Sequence, residues 1–156
     1  MSLRTMAAVF LAGTVSFAAP PSGDLAPGDR SCLLSRDAGD LHQMVEAEIR
    51  GKESTISVRD GAEPKGAPRK VSRADAIEFC GLIEDFLLAE SKRPNGAAAA
   101  AEGCPDRYRI EARSSLYRPK SLEGCAVTPA EALNRLHSEL LRVYHRPAPT
   151  GGKARK

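Results

Sequence analysis

The sequence has no tryptophan and only three tyrosines and four phenylalanines among its 156 residues. Those that follow position 18 are Phe79, Phe86, Tyr108, Tyr117 and Tyr144. Aromatic rings supply the large, rigid contact surface on which sugar-binding sites usually depend. So few rings make a carbohydrate-binding module an unfavourable interpretation of this chain.

Long hydrophobic runs are also lacking. Beyond an apolar run at positions 7–18, no run approaches the roughly eighteen residues of a membrane-spanning helix. Gly13 is followed by Thr14 rather than by the cysteine that carries the lipid of a bacterial lipoprotein. Asn95 and Asn134 both lie outside Asn-x-Ser/Thr sequences, so neither is an N-glycosylation site. We therefore expect no transmembrane anchor and no lipid anchor.

The first eighteen residues have the pattern of a secretory signal peptide. Arg4 supplies the positive charge of the n-region, and Ala7 begins the apolar run. Ser16 and Ala18 place small residues at the −3 and −1 positions of a cleavage site. A buried N-terminal helix is the alternative, but Pro20 and the following Pro would end it abruptly. The pattern predicts cleavage that leaves Ala19 at the N-terminus, and a secreted or periplasmic protein.

The remainder of the chain reads as one domain at 41–146, between a loose segment at 19–40 and a basic tail at 147–156. Alternating apolar residues predict strands at 44–50 and 54–60, which form a β-hairpin. Ser72 can cap a helix that runs to about Glu90. Its buried positions are predicted at Ala76, Ile77, Phe79, Cys80, Ile83, Phe86 and Leu87.

A second hairpin and a second helix follow. Residues 106–113 alternate clearly, with Tyr108, Ile110 and Ala112 predicted to face inward. A return strand is expected within 116–127, short or bulged because a proline and a glycine interrupt it. Thr128 and the proline after it begin a helix that ends near His145. The predicted fold is α+β, a small antiparallel sheet of two hairpins packed in two layers against two helices, in the order ββαββα.

Four cysteines in an exported chain predict two disulfides, for which three connectivities are possible. Zinc binding and thiol–disulfide catalysis are disfavoured, because no closely spaced Cys-x-x-Cys pair occurs. Pairing across the second hairpin predicts Cys104–Cys125, with the turn centred between residues 114 and 115, and leaves Cys32–Cys80. The alternative joins Cys80 to Cys104 and Cys32 to Cys125.

No catalytic arrangement emerges from the remaining residues. His42, His137 and His145 do not form the H-E-x-x-H zinc pattern, and no Gly-x-Ser-x-Gly sequence is present. We identify no catalytic, cofactor-binding or metal-binding residue and expect no cofactor and no enzymatic activity. A hydrolase with an unrecognised site is the remaining enzymatic hypothesis.

Cationic residues of the second hairpin are the candidate partner-binding site. Arginines can hold carboxylates through two parallel hydrogen bonds, which suits an acidic partner protein. The alternative is an ordinary solvated face, since half of any amphipathic strand must be polar. The candidate residues are Arg107, Arg109, Arg113, Tyr117 and Arg118.

The basic character of the chain lies mainly at its C-terminus. The net charge is +3, yet the final eleven residues contain Arg146, Lys153, Arg155 and Lys156 and no acid. Because the rest is nearly neutral, nucleic acid is not an expected partner. The tail suggests a second hypothesis, an envelope-associated structural protein whose cationic end meets an anionic surface.

The element order, the strand centred on Ile110 and the Pro129-led final helix together resemble the emfourin-type inhibitors of metalloproteases over residues 44–145. This resemblance implies a four-stranded sheet with helices on one face and a protein that blocks an exported protease. The leading hypothesis is therefore an exported protein-binding module that acts as a protease inhibitor.

Overall fold

The structure is a computed structural model that describes residues 25–61, 67–92, 104–126 and 130–147. It contains six strands and two helices in these ranges. The strands are β1 (Arg30–Ala38), β2 (Leu41–Arg50), β3 (Glu53–Asp60), β4 (Arg69–Lys70), β5 (Asp106–Ser114) and β6 (Tyr117–Cys125). The helices are α1 (Arg73–Ser91), which follows β4, and α2 (Ala130–Tyr144), which follows β6.

All six strands form one antiparallel sheet in the order β4-β3-β2-β1-β5-β6. The predicted α+β class is confirmed, but the predicted order ββαββα is wrong, because the chain runs ββββαββα. The two predicted hairpins are present as β2–β3 and β5–β6. They belong to the same sheet because β1 lies between them and pairs with both β2 and β5.

Strand β1 corrects the prediction that residues 19–40 are loose and that the domain begins at 41. Cys32 and Leu34 of β1 are buried, while the intervening residue Leu33 points to the other face. The Pro- and Gly-rich composition around this strand suggested a flexible segment. Its nine residues are instead ordered by hydrogen bonds to β2 on one side and β5 on the other.

Both helices cover one face of the sheet, and the core lies between the two layers. The predicted inward residues Tyr108, Ile110 and Ala112 are buried there, which confirms the alternation of β5. Strand β5 presents every second side chain to the helices, because successive side chains of a pleated strand point to opposite faces of the sheet. The fully buried large side chains are Phe79, Ile49, Ile56, Ile83, Ile110, Leu133, Leu140, Val45 and Val143, together with Cys32 and Cys80.

Helix α1 begins as predicted. The Ser72 hydroxyl accepts a hydrogen bond from the backbone N–H of Asp75 at 3.0 Å. The end of α2 is fastened to this first turn, because Arg146 pairs with Asp75 at 3.1 Å and with Glu78 at 2.6 Å. Arg69 of β4 also donates to the carbonyl of Arg146 at 2.7 Å. These contacts hold the two helices and the β4 edge together.

Two disulfides join Cys32 to Cys80 and Cys104 to Cys125, as predicted from the hairpin geometry. The predicted hairpin register is wrong, however. Cys125 lies opposite Arg107, and the two-residue turn is formed by Ser115 and Leu116, one residue later than expected. Cys104 precedes β5 and still reaches Cys125, with their Cα atoms 5.9 Å apart.

Several sequence-based predictions concern residues outside the described ranges. They include the signal peptide at 1–18, the helix-capping pair Thr128 and Pro129, and the basic tail beyond residue 147. Within the described residues, no helix is both long enough and apolar enough to cross a membrane.

Candidate partner-binding surface

The predicted binding residues all lie on the β5–β6 hairpin, at one side of the sheet, but they do not form a single surface. Arg107, Arg109 and Arg113 alternate with the buried residues of β5 and therefore point to the face opposite the helices. Tyr117 lies opposite Ser114, on the helix side, and contacts α1. Arg118 is exposed next to it at the start of β6. The predicted site therefore consists of separate groups of residues.

On the face opposite the helices, two of the arginines are neutralised by Glu111. Arg109 donates to this carboxylate, and Arg113 pairs with it at 2.9 Å. Arg109 also lies 3.2 Å from Glu123. The hydrogen bond that Arg109 donates to Glu111 is the main cause that raises the pKa of Arg109, with the charges of Glu111 and Glu123 adding to it.

Glu111 points to the same face as these arginines in the alternation of β5, yet only 7% of it remains exposed. Arg109 and Arg113, two residues away on either side of Glu111 on the same face of β5, cover its carboxylate. Arg109 and Arg113 are thus poor candidates for binding an external carboxylate. They would first have to give up Glu111 and leave a buried charge without partners.

Arg107 and Arg118 are the two predicted arginines that keep their charge available. Both are exposed, and neither forms an ion pair with an acid in the described ranges. They lie at opposite ends of the hairpin, because Arg107 faces Cys125 and Arg118 is the second residue after the turn. A compact partner is thus expected to contact one of them, not both.

Tyr117 is fixed on the same end of the hairpin as Arg118. Its hydroxyl donates a hydrogen bond to Glu84 of α1. Burial, and then the adjacent Glu84 carboxylate, raise the pKa of Tyr117 to about 12. The ammonium of Lys120 lies 5.5 Å from the centre of the Tyr117 ring, a distance at which cation–π attraction operates.

The hairpin turn projects from this end of the molecule and carries Leu116, whose exposed fraction is 73%. The turn contains no residue with positive φ, so it is not one of the tight turns that match the twist of paired strands. The register shift between Ala112 and Ser114 accommodates this mismatch. Leu116 could not be identified from the sequence, since one apolar residue between two strands gives no periodic signal.

The turn is braced by the chain segment that leads into β1. The hydroxyl of Ser115 accepts a hydrogen bond from the N–H of Gly28 at 2.8 Å, and the Ser115 N–H donates to the carbonyl of Asp29. The Ser114 hydroxyl accepts from the N–H of Leu116 at 3.1 Å. A tip held by side-chain and backbone bonds on both of its residues is pre-organised for binding.

The turn between β2 and β3 lies at the same end. Asp29 is buried and its carboxylate accepts the N–H of Gly51 at 2.8 Å. Arg73, the first residue of α1, donates to the carbonyl of Gly51 at 2.6 Å. We call this end of the molecule, which includes Lys52, Arg73, Leu116, Tyr117 and Arg118, the turn end.

Other polar clusters in the described residues are structural. Arg36 donates two hydrogen bonds to Asp106 and a third to Asn134, which joins β1, β5 and α2. Burial lowers the pKa of His137. Within the ranges described, no group of three or more His, Cys, Asp or Glu side chains is placed to hold a metal ion.

Comparison with known proteins assigns no family to this chain. No protein-family model matches the sequence, and no curated protein is significantly similar to it.

Proposed function

We propose that this protein is an exported protein-binding module that presents its turn end to an acidic partner. The observation that carries the proposal is the combination of a braced hairpin tip with cations that no described acid neutralises. Lys52 and Arg118 are both exposed there without an ion-pair partner among the described residues. The acids of this end, in contrast, are engaged: Asp29 with Gly51, Glu53 with Lys70, and Glu84 with Tyr117.

Export is supported by the leader pattern and by the two disulfides, which persist in oxidising compartments. The disulfides also make the scaffold rigid. Cys32–Cys80 fastens α1 to the central strand, and Cys104–Cys125 closes the end of the hairpin away from its tip. A rigid scaffold loses little conformational entropy on binding, so even a small contact surface can give useful affinity.

Protease inhibition is the specific form of binding that we propose. The resemblance to emfourin-type inhibitors implies it, and a pre-organised hairpin tip on a disulfide-bonded domain suits the blocking of an active-site cleft. Binding through the tip also leaves the remainder of the sheet free. The partner would carry carboxylates next to the cleft, opposite Lys52 and Arg118.

The test is binding and inhibition measured against a panel of purified extracellular proteases that includes thermolysin and chymotrypsin. The variant Arg118→Gln, which removes the charge but keeps a polar side chain, should weaken binding several-fold and reduce its dependence on salt. Arg113→Gln is the matched control, because its guanidinium is already paired with Glu111. The proposed surface would be contradicted if both variants lost the same amount of affinity, or if neither variant lost any.

A further inference from the structure

We propose that Leu116 is the anchor residue of the turn end and that it enters an apolar pocket of the partner protein. This inference rests on the proposed function and assigns the residue that decides specificity. Leu116 is the most exposed large apolar side chain in the described part of the chain. The other exposed ones, Leu41, Ile77 and Leu88, have exposed fractions of 38%, 44% and 50%.

The position of Leu116 makes the exposure informative. It lies at the outermost point of a two-residue turn, where a polar residue or glycine is the usual choice. Its own N–H is bonded to Ser114, and the preceding Ser115 is bonded to Gly28 and Asp29. The leucine is therefore held outward by a fixed backbone, and it cannot reach the core between the sheet and the helices.

The side chains around the tip define what the partner must offer. Arg118 follows two residues later, and Lys120 covers the ring of Tyr117 at 5.5 Å. Lys52 lies on the neighbouring β2–β3 turn, and Arg73 is the first residue of α1. An apolar projection that shares one end of the molecule with exposed cations complements an apolar pocket with carboxylates at its rim.

Helix α1 extends the apolar part of this surface. Arg73 and Glu84 both point toward the turn end, since they contact Gly51 and Tyr117. Ile77 lies one helical turn after Arg73 and one heptad before Glu84, so it belongs to the same flank. Ile77 was predicted to be buried and is not. It is an exposed apolar side chain of α1 that is available to a partner bound at this flank.

A protein pocket fits these features better than a lipid surface. Insertion into a bilayer favours a broad apolar face, whereas here one leucine projects and Glu84 lies behind it. Burying one leucine side chain in a pocket contributes enough free energy for a change of about tenfold to a hundredfold in affinity. Leucine is also a side chain that the apolar primary pockets of proteases can accept.

The experiment compares Leu116→Ser with Leu41→Ser in the intact, disulfide-bonded protein. Leu41 is also exposed, but it begins β2 at the opposite end of the sheet, so it is the matched control. Thermal unfolding should be unchanged in both variants, because neither side chain is buried. Against proteases with an apolar primary pocket, Leu116→Ser should weaken inhibition by about thirtyfold or more, and Leu41→Ser should not.

A specificity exchange provides the second measurement. Leu116→Arg should reduce inhibition of chymotrypsin and create inhibition of trypsin, whose primary pocket holds a carboxylate. If Leu116→Ser binds as tightly as the parent protein while Arg118→Gln does not, the anchor assignment is wrong and the proposed function stands. If no protease in the panel is bound, both the proposed protease inhibition and the assignment of Leu116 as its anchor residue are wrong. Leu116-dependent binding to vesicles of anionic phospholipid, without any protease binding, would overturn the inference in favour of a membrane surface.

Discussion

Cys32 of the central strand and Cys80 of α1 are joined by a disulfide at a point where both residues are completely inaccessible to solvent. Their Cα atoms are 5.4 Å apart, and the bond crosses the interface between the sheet and the helix layer. The second bridge differs, because Cys104 and Cys125 are only partly buried and lie at the end of the β5–β6 hairpin that is away from its turn.

This difference predicts the order of reduction. A reducing thiolate must reach a sulfur atom in line, so the partly exposed Cys104–Cys125 bond should open first. Under mild reductant at neutral pH, alkylation followed by peptide mass analysis should label Cys104 and Cys125 while Cys32 and Cys80 remain joined. Simultaneous labelling of all four would show that reduction requires global unfolding.

The ion pairs of Arg146 with Asp75 and Glu78 of α1, which we call the clamp, predict a stability that depends on pH. The hydrogen bond from Arg146 is the main cause that lowers the pKa of Glu78, and the pKa of Asp75 is lowered first by Ser72 and then by Arg146. A carboxylate with a lowered pKa in the folded state stabilises the protein above its ordinary pKa, 3.8 for Asp75 and 4.5 for Glu78. That stabilisation is lost as the pH falls through the lower folded-state value.

The variant Arg146→Gln should therefore unfold at a lower temperature at neutral pH and lose less stability on acidification to about pH 3 than the parent protein. The measurement is the thermal midpoint across this pH range, with Arg107→Gln as the control, since Arg107 has no acid partner among the described residues. Parallel curves for the parent and Arg146→Gln would contradict the clamp.

The same clamp predicts how far the C-terminus can be shortened. Removal of residues 147–156 should leave the thermal midpoint within about 2 °C of the parent value, because the last described ion pairs end at Arg146. Removing His145 and Arg146 as well should lower the midpoint clearly, since Asp75, Glu78 and Arg69 then lose contacts. A large loss from the shorter deletion would reveal an unrecognised role for the tail.

Asp29 is predicted to be the main support of the turn end. It is buried, its carboxylate accepts the N–H of Gly51, and its carbonyl accepts the N–H of Ser115. Asp29→Ala leaves the Gly51 N–H without its partner and should reduce the free energy of unfolding by about 1–3 kcal/mol. Urea denaturation measures the change, and Asp37→Ala, which removes a half-exposed hydrogen bond with His42, should cost less. Equal effects would contradict a special role for Asp29.

Tyr117 should titrate unusually late. Its pKa is raised to about 12 by burial and by the Glu84 carboxylate, so the neutral form is favoured in the folded state. This contribution to stability is complete below the ordinary value of 10.0 and is lost as the pH rises through the folded value. The difference in tyrosinate absorbance between the parent protein and Tyr117→Phe measures this pKa directly. A midpoint near the ordinary value would show that the bond to Glu84 does not form in solution.

Much of the local structure was predictable because its causes lie within short stretches of sequence. The Ser72 cap, the alternation of Tyr108, Ile110 and Ala112, and the helical periodicity of α1 each depend on neighbouring residues. The two disulfides were predictable as well, because hairpin pairing brings Cys104 and Cys125 together even though the residue opposite Cys125 is Arg107, three positions from the one predicted.

The candidate site was only partly predictable. Its basic residues follow from alternation along β5, but alternation does not show that Glu111 neutralises Arg109 and Arg113. The importance of Leu116 depends on contacts with Gly28 and Asp29, almost ninety residues earlier in the chain. Contacts over such separations leave no local pattern.

The sequence by itself determined the α+β class and the positions of both helices and two hairpins, and it favoured the cysteine pairing that the structure shows, since propensity, periodicity and hairpin closure operate over short distances. Only the tertiary structure decided that residues 30–38 form the central strand. A segment flanked by glycine and proline becomes a strand there because β2 and β5 satisfy its backbone hydrogen bonds on both sides. The tertiary structure also decided which charges stay free, because an ion pair depends on distance in space and not on position along the chain.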